Sequence, residues 1–153
     1  MDVQSDEMRK AYHSALRMLA RREHTVAEIQ TKLQGKFSDL TDGELSDLSD
    51  TLVGDGYLSD ARFAETLIRS RIARGYGPCY IRRELFTKGI SALLINQQMS
   101  IQHTNWEQLA SDLVERRHPQ AACHDQAWEK AARFLQRRGF DAECVVKTLG
   151  QRP

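Results

Sequence analysis

Arginine and lysine side chains that could bind an anion are concentrated in the middle of this 153-residue chain. Residues 59–104 hold seven of these cations and only three acids. The seven are Arg62, Arg69, Arg71, Arg74, Arg82, Arg83 and Lys88. Because six are arginines, whose planar guanidinium groups form paired hydrogen bonds with carboxylates and phosphates, the set is suited to binding an anionic partner. A solvated helix surface would have a similar composition, so both interpretations stay open.

An aromatic side chain accompanies these cations. Tyr76 lies between Gly75 and Gly77, directly after Arg74 and before Pro78. From such a turn it could stack on a nucleic-acid base or fill a pocket of a partner protein. Packing over its own helix end, which would fix the turn, is the more common role of such a tyrosine.

A second basic cluster lies near the end of the chain and consists of Lys130, Arg133, Arg137 and Arg138. A spacing of 3 and 4 residues puts the first three on one face of a helix, where they would form a second contact patch. Cations in the last helical turn are stabilised by the macrodipole, by ~0.3–1 kcal/mol each, so Arg137 and Arg138 need no partner to explain them.

The sequence offers no catalytic arrangement. It contains no glycine-rich phosphate loop, HExxH, G-x-S-x-G or paired-carboxylate motif. His118, Cys123 and His124 are close together, but their spacing matches no zinc pattern. The odd and scattered set of Cys79, Cys123 and Cys144 predicts reduced thiols without a catalytic role. We therefore expect no enzyme, no cofactor and no metal.

Charge is distributed unevenly, although the net charge is only +1. Residues 1–58 have 7 basic and 11 acidic side chains, residues 59–105 have 7 and 3, and residues 106–153 have 8 and 7. This asymmetry predicts a directional surface. The first ten residues lack the apolar core of a signal peptide, and no apolar run reaches the ~20 residues of a membrane span. We therefore expect a cytoplasmic protein that does not bind membranes.

Capping signals and helical periodicity indicate the elements that hold these residues. The predicted helix starts lie at or directly after Asp6, Thr25, Thr41, Ser59, Gly77, Ser91, Asn105, Asp125 and Asp141. Thr25 with Glu28, and Thr41 with Glu44, have the spacing of capping boxes. The first helix is expected over roughly Asp6–Arg22. The prediction is an all-α chain of nine helices.

These helices fall into three sets of three, which we predict as tandem repeats with the bounds 1–58, 59–104 and 105–153. A shift of fifty residues aligns LFTKGI (85–90) with LQRRGF (135–140). Each hexamer has a leucine, a basic residue, a glycine that ends the helix and an apolar residue. In the first set, Gly35 precedes Lys36 instead. Such divergence is expected of repeats at the end of an array.

Two motifs of the middle repeat, GYLSDARFA (56–64) and GYGPCYIRRELFTKGI (75–90), resemble those of the RecX family. The segments ALRMLARREHTVAEIQTKL (15–33) and FLQRRGF (134–140) extend the resemblance over nearly the whole chain. The departures are Cys79 and an acidic, serine-rich segment at 38–50.

RecX proteins are small bacterial regulators of the RecA recombinase, so the resemblance implies an elongated, curved array of three-helix repeats. It also implies binding along the groove of the RecA–single-stranded DNA filament. There the family modulates, and mostly inhibits, ATP hydrolysis, strand exchange and coprotease activity in recombinational repair and the SOS response. We expect this chain to act on the filament as a monomer.

Direct DNA binding is the alternative function, because three-helix units with a basic helix also resemble helix-turn-helix modules. A net charge of +1 and an acidic first third make such a chain a poor nonspecific DNA binder. We expect single-stranded DNA to be contacted within the filament. Whether the cations meet protein or phosphate stays open.

Overall fold

A computed structural model describes the chain from Val3 to Pro153, with side chains described from Asp6 onward. Over this range it has nine α-helices and no strand. The helices are α1 (Val3–Arg21), α2 (Val26–Lys36), α3 (Asp42–Gly54), α4 (Asp60–Ala73), α5 (Pro78–Thr87), α6 (Ala92–Ile101), α7 (Trp106–Arg117), α8 (Asp125–Arg137) and α9 (Ala142–Leu149). The predicted all-α fold is confirmed for the described residues.

Short polar side chains begin most of these helices, as the sequence predicts. In six cases the side chain of the capping residue accepts a hydrogen bond from the third helical N–H. The six caps are Thr25, Thr41, Ser59, Ser91, Asn105 and Asp141. Each of these starts depends only on a local hydrogen bond, which is why the sequence locates it.

The predicted cap at Asp125 is wrong by one residue. His124 has the extended backbone of a capping residue, and its Nδ1 accepts a hydrogen bond from the backbone N–H of Ala127. Asp125 is therefore the first residue of α8, where its carboxylate is stabilised by the positive end of the helix dipole.

The helices pack as three consecutive triples, since the helix pairs with the most extensive contacts all lie within α1–α3, α4–α6 or α7–α9. Each triple has its own apolar cluster, built around Leu33, Leu85 and Leu135 respectively, and all three leucines are fully buried. Trp106 packs against both the second and the third cluster. We propose that these triples are the predicted repeats 1–58, 59–104 and 105–153.

The C-terminal end of α5 meets the N-terminal end of α2, which joins the second triple to the first. The Thr25 hydroxyl accepts from the N–H of Glu28 at 3.1 Å and donates to the carbonyl of Lys88 at 2.8 Å. Gly89 follows with φ +87°, and a Cβ there would lie 2.6 Å from the Cβ of Ala27. One side chain thus satisfies a free group at the end of each helix.

The C-terminal end of α8 meets the N-terminal end of α5 in the same way. The Gly77 N–H donates to the carbonyl of Arg138 at 2.6 Å, and the Cys79 N–H donates to the carbonyl of Gly139 at 3.0 Å. Because α5 has no side-chain cap, these carbonyls of the third triple satisfy the first N–H groups of α5. The partial charges of the two helix ends also attract each other.

Close approach at this junction requires glycine on both sides. A Cβ on Gly77 would lie 2.6 Å from the carbonyl oxygen of Gly139. Gly139 itself has φ +95°, and a Cβ there would lie 2.4 Å from the backbone nitrogen of Tyr80. Gly77 therefore does more than begin α5, and Gly139 does more than end α8, although the sequence suggests only those roles for them.

The aligned hexamers LFTKGI and LQRRGF form the C-terminal ends of α5 and α8. Each of these ends docks on the preceding triple. At each, a basic residue followed by a glycine with positive φ ends the middle helix. Among the described residues, the end of α2 meets no preceding triple. The C-cap of α2 is Phe37, which has φ −123°, whereas α5 and α8 end before a glycine with positive φ. The reversed Gly35 and Lys36 of the first repeat fit this difference.

Gly139→Ala is expected to lower the free energy of unfolding by ~2 kcal/mol or more, because it adds positive-φ strain and a clash with α5. Gly56→Ala is the matched control. Gly56 also has a positive φ, +83°, but nothing lies within 4 Å of its missing Cβ. Urea denaturation of both variants measures the difference. Equal losses of stability would contradict the docking role of Gly139.

Candidate partner-binding surface

Two of the seven middle cations hold the second triple on the first. Arg62 Nε lies 2.8 Å from Glu23 Oε1, and its Nη1 donates to the carbonyl of Gly56 at 2.8 Å. Lys88 Nζ lies 3.8 Å from Glu28 Oε1. These contacts cross from the second triple to the first, so both cations already have acidic partners within the chain.

This junction also explains why the predicted capping box at α2 forms only in half. The Thr25 side chain caps the helix as expected. The Glu28 carboxylate turns away from the backbone of Thr25 and accepts from Arg22 Nη2 at 3.0 Å. Lys88 approaches its other oxygen from the second triple, so ion pairs with Arg22 and Lys88 stand in place of the second hydrogen bond of the box.

Arg71 joins α4 to α5. Its Nε and Nη2 lie 2.8 and 2.6 Å from the two carboxylate oxygens of Glu84. Both side chains are only about one-fifth exposed, and the hydrogen bond to Glu84 raises the pKa of Arg71 above its usual value. Arg69 pairs with Glu65 one turn earlier at 2.8 Å, but this pair is solvent-exposed. Exposed pairs of this kind contribute only ~0.3–0.5 kcal/mol and open readily.

Tyr76 and Arg138 lie at the junction between the second and third triples. The Tyr76 ring stacks on Tyr80 with 4.2 Å between centroids. The Arg138 guanidinium lies 4.8 Å from the Tyr76 centroid and 5.3 Å from that of Phe134. Its Nη1 donates to the carbonyl of Arg74 at 2.7 Å. Tyr76 thus packs within the chain, which is the more common of the two roles considered for it from the sequence. Its contact with a partner stays a prediction.

Three middle cations have no acidic partner among the described residues: Arg74, Arg82 and Arg83. All three are exposed. The buried face of α5 is formed by Ile81 and Leu85, so Arg82 and Arg83 lie on its outer face. Arg82 Nη1 contacts only an amide, the Oδ1 of Asn96 on α6 at 2.5 Å. Their guanidinium groups are available to carboxylates or phosphates of another molecule.

Three exposed apolar side chains that the sequence did not single out lie on α5 and α6, which are the helix of Arg82 and Arg83 and the helix that follows it. Phe86 on α5 is 71% exposed, and Leu93 and Ile101 on α6 are 70% and 60% exposed. The aligned hexamers contain a signal that identifies the first of them. Phe86 occupies the position after the buried leucine, where the third repeat has Gln136.

The second basic cluster divides between solvent and the junction. Lys130, Arg133 and Arg137 are exposed on α8 and have no acidic partner in the described part of the chain. The nearby His118 ring has a pKa lowered mainly by its burial and further by Arg137 and other cations. This surface therefore has a positive potential. Arg138 belongs to the junction instead.

The described residues hold no group of three or more His, Cys, Asp or Glu side chains placed to bind a metal ion. Cys79 and Cys123 are exposed free thiols, and Cys144 is a half-buried one whose pKa is raised by burial. No described helix is long and apolar enough to cross a membrane.

Two family models match the chain. The model described as the second three-helix domain of RecX matches residues 59–99, and the model described as the first three-helix domain matches residues 11–39. The matched segments contain α4 through most of α6, and α2 with part of α1. They include all seven middle cations.

Solved structures share this fold. A crystal structure of RecX from Lactobacillus salivarius superposes with a TM-score of 0.83 at 21% identity, covering 95% of this chain and 96% of that one. A crystal structure of regulatory protein RecX gives 0.79 at 24% identity, covering 96% and 73%. The all-α architecture is therefore that of known RecX structures.

Curated relatives match in sequence over most of their length. Regulatory protein RecX of Xanthomonas campestris pv. campestris (strain B100) is 36% identical over 132 residues, which are 86% of this chain and 80% of the relative. That of Stenotrophomonas maltophilia (strain R551-3) is 39% identical over 142 residues, covering 91% and 85%. Identity at this level over most of both sequences, together with the shared fold, shows that the chain belongs to the RecX family.

Proposed function

We propose that this chain regulates the RecA recombinase by binding the RecA filament on single-stranded DNA. There it lowers ATP hydrolysis, strand exchange and coprotease activity. The observation that carries the proposal is the pair Arg82 and Arg83, exposed on the outer face of α5 without an acidic partner among the described residues. In a RecX chain without a recognisable catalytic motif, such cations support binding to an anionic surface.

The predicted site residues divide into two roles in this proposal. The exposed cations contact the filament: Arg69, Arg74, Arg82 and Arg83 in the second triple, and Lys130, Arg133 and Arg137 in the third. The others position them. Arg62, Tyr76, Lys88 and Arg138 lie at the junctions between triples, and Arg71 joins α4 to α5 within the second triple. A cation whose intramolecular ion pair is half-buried would have to lose that pair before it could bind a partner, which is unfavourable.

The arrangement of the triples supports contact with more than one RecA protomer. Each exposed set lies on a different triple, and a helix of 14 residues such as α4 is ~21 Å long. Three triples joined end to end can therefore extend along a filament. Binding along the groove would block motions that ATP hydrolysis and strand exchange need.

Direct binding to naked DNA is the second candidate function. Phosphate contacts dominate such binding, and exposed cations supply most of the electrostatic attraction. The outer surface of α3 opposes it, because Asp42, Asp47 and Asp50 are exposed there. We therefore favour the filament over DNA alone, with the bound strand contacted only within it.

Replacing Arg82 and Arg83 together by glutamate is expected to raise the half-inhibitory concentration for RecA at least about 10-fold, because two attractive charges become repulsive. The measurement is DNA-dependent ATP hydrolysis by the cognate RecA. The double change of Arg17 and Arg21 to glutamate on α1 is the control, since it alters the net charge equally. Retained inhibition by the folded α5 variant would exclude these two arginines from the site.

Arg71→Met tests the division of roles. We expect it to lower the free energy of unfolding by ~1–3 kcal/mol, because Glu84 loses two charge-assisted hydrogen bonds in a half-buried setting. At a temperature where the variant is folded, its inhibition of RecA should stay within about 2-fold of the parent. A stable variant that no longer inhibits would instead make Arg71 a contact residue.

Replacing Lys130, Arg133 and Arg137 together by alanine is expected to weaken inhibition about 3- to 10-fold, less than the α5 change, because exposed cations at an interface rim contribute modestly. The loss should shrink as salt rises. Inhibition equal to the parent at low salt would show that this α8 surface makes no contact.

A further inference from the structure

The outer surface of α5 and α6 differs in character from the rest of the chain. Phe86, Leu93 and Ile101 are the three most exposed large apolar side chains among the described residues. All three lie within 16 residues of one another, and Arg82 and Arg83 are on the same face of α5 as Phe86. We call these five residues the α5–α6 surface.

One hydrogen bond shows how the two helices combine. Arg82 Nη1 donates to Asn96 Oδ1 at 2.5 Å, which puts the outer face of α5 beside that of α6. Phe86 follows Arg82 by one turn, and Leu93 precedes Asn96 by slightly less than one turn. Both apolar side chains therefore lie toward the short connection at residues 88–91, with the arginines behind them on α5.

The surface has no acidic group of its own. Glu84 is paired with Arg71 on the inner side of α5, and the next acid along the chain is Glu107. α6 contains no charged residue at all. In protein interfaces, the residues that contribute most of the binding energy are often aromatic and arginine side chains. An apolar group bordered by guanidinium groups without acidic partners has this composition.

The fold itself does not need apolar side chains at these positions. The buried leucines Leu33, Leu85 and Leu135 align, and the residues that follow them are Gln34, Phe86 and Gln136, all exposed. The helix caps Thr41, Ser91 and Asp141 align as well, which matches Leu93 with Gly43 and Glu143, and Ile101 with Thr51. Only the second triple has large apolar residues at all of these sites, so packing within a triple does not explain them.

We propose that the α5–α6 surface binds a protein surface in which an apolar depression is bordered by carboxylates. This inference rests on the proposed function, in which the protein that carries the depression is RecA. Nucleic acid fits the surface less well. Leu93 and Ile101 have no aromatic ring to stack on bases, and α6 offers no cation to phosphates.

The test is a triple variant that replaces the apolar side chains by uncharged polar ones: Phe86→Gln and Ile101→Thr, which take their residues from the other repeats, and Leu93→Gln, which leaves the charge unchanged. The half-inhibitory concentration for the cognate RecA ATPase is expected to rise about 30-fold or more, because three buried apolar contacts are lost. The rise should be similar at about 50 mM and about 300 mM salt, since apolar contacts are not screened. Circular dichroism and thermal unfolding confirm that the variant is folded.

Val146→Asn is the matched control. Val146 is 55% exposed on α9 and aligns with Asn96 of the second triple, so the change again borrows a residue from another repeat. It removes an exposed apolar side chain outside the α5–α6 surface. Its inhibition should stay within about 2-fold of the parent protein.

Three results would overturn the inference. Parent-like inhibition by the folded triple variant would exclude the α5–α6 surface and leave the proposed function intact. A loss of affinity for naked single-stranded DNA of the same size as the loss of inhibition would identify a nucleic-acid partner instead. A parent protein without any effect on RecA would refute the proposed function and this inference together. Unchanged affinity for naked DNA alongside lost inhibition supports it.

Discussion

The end-to-end docking of the middle helices is the interaction on which the rest of the structure depends. Carbonyls of Arg138 and Gly139 satisfy the first N–H groups of α5, which has no side-chain cap, and the Lys88 carbonyl accepts from the cap of α2. Without this docking, each triple would have only a small core of its own. The docking sets how one triple follows another, and therefore which helix faces remain exposed.

That dependence explains why some cations of the middle repeat are paired within the chain while others are exposed and unpaired. Those whose acidic partners lie on a neighbouring helix or triple, such as Arg62 with Glu23 and Arg71 with Glu84, are used in building the array. Arg82 and Arg83 project from the outer face of the docked helix α5, and neither pairs with an acid in the part of the chain that the structure describes. In our account the same helix therefore joins the repeats through its two ends and meets the partner through its outer face.

The helices were predictable from sequence because their signals are local. A cap such as Ser91 and the N–H that it accepts lie three residues apart. The junctions were not, because Thr25 and the Lys88 carbonyl are separated by 63 positions, and nothing in a helical wheel indicates that Arg62 finds Glu23. The residues that the hexamers share do not point to Phe86, because it stands where they differ. The position at which they differ was the informative one.

Hydrogen exchange of the chain, alone and bound to RecA filaments on single-stranded DNA, tests the central claim most directly. The account predicts added protection over residues 79–101, which contain the outer faces of α5 and α6, and none over α3. Naked single-stranded DNA should produce no such protection. Protection confined to residues 6–54, with residues 79–101 unchanged by the filament, would contradict the account.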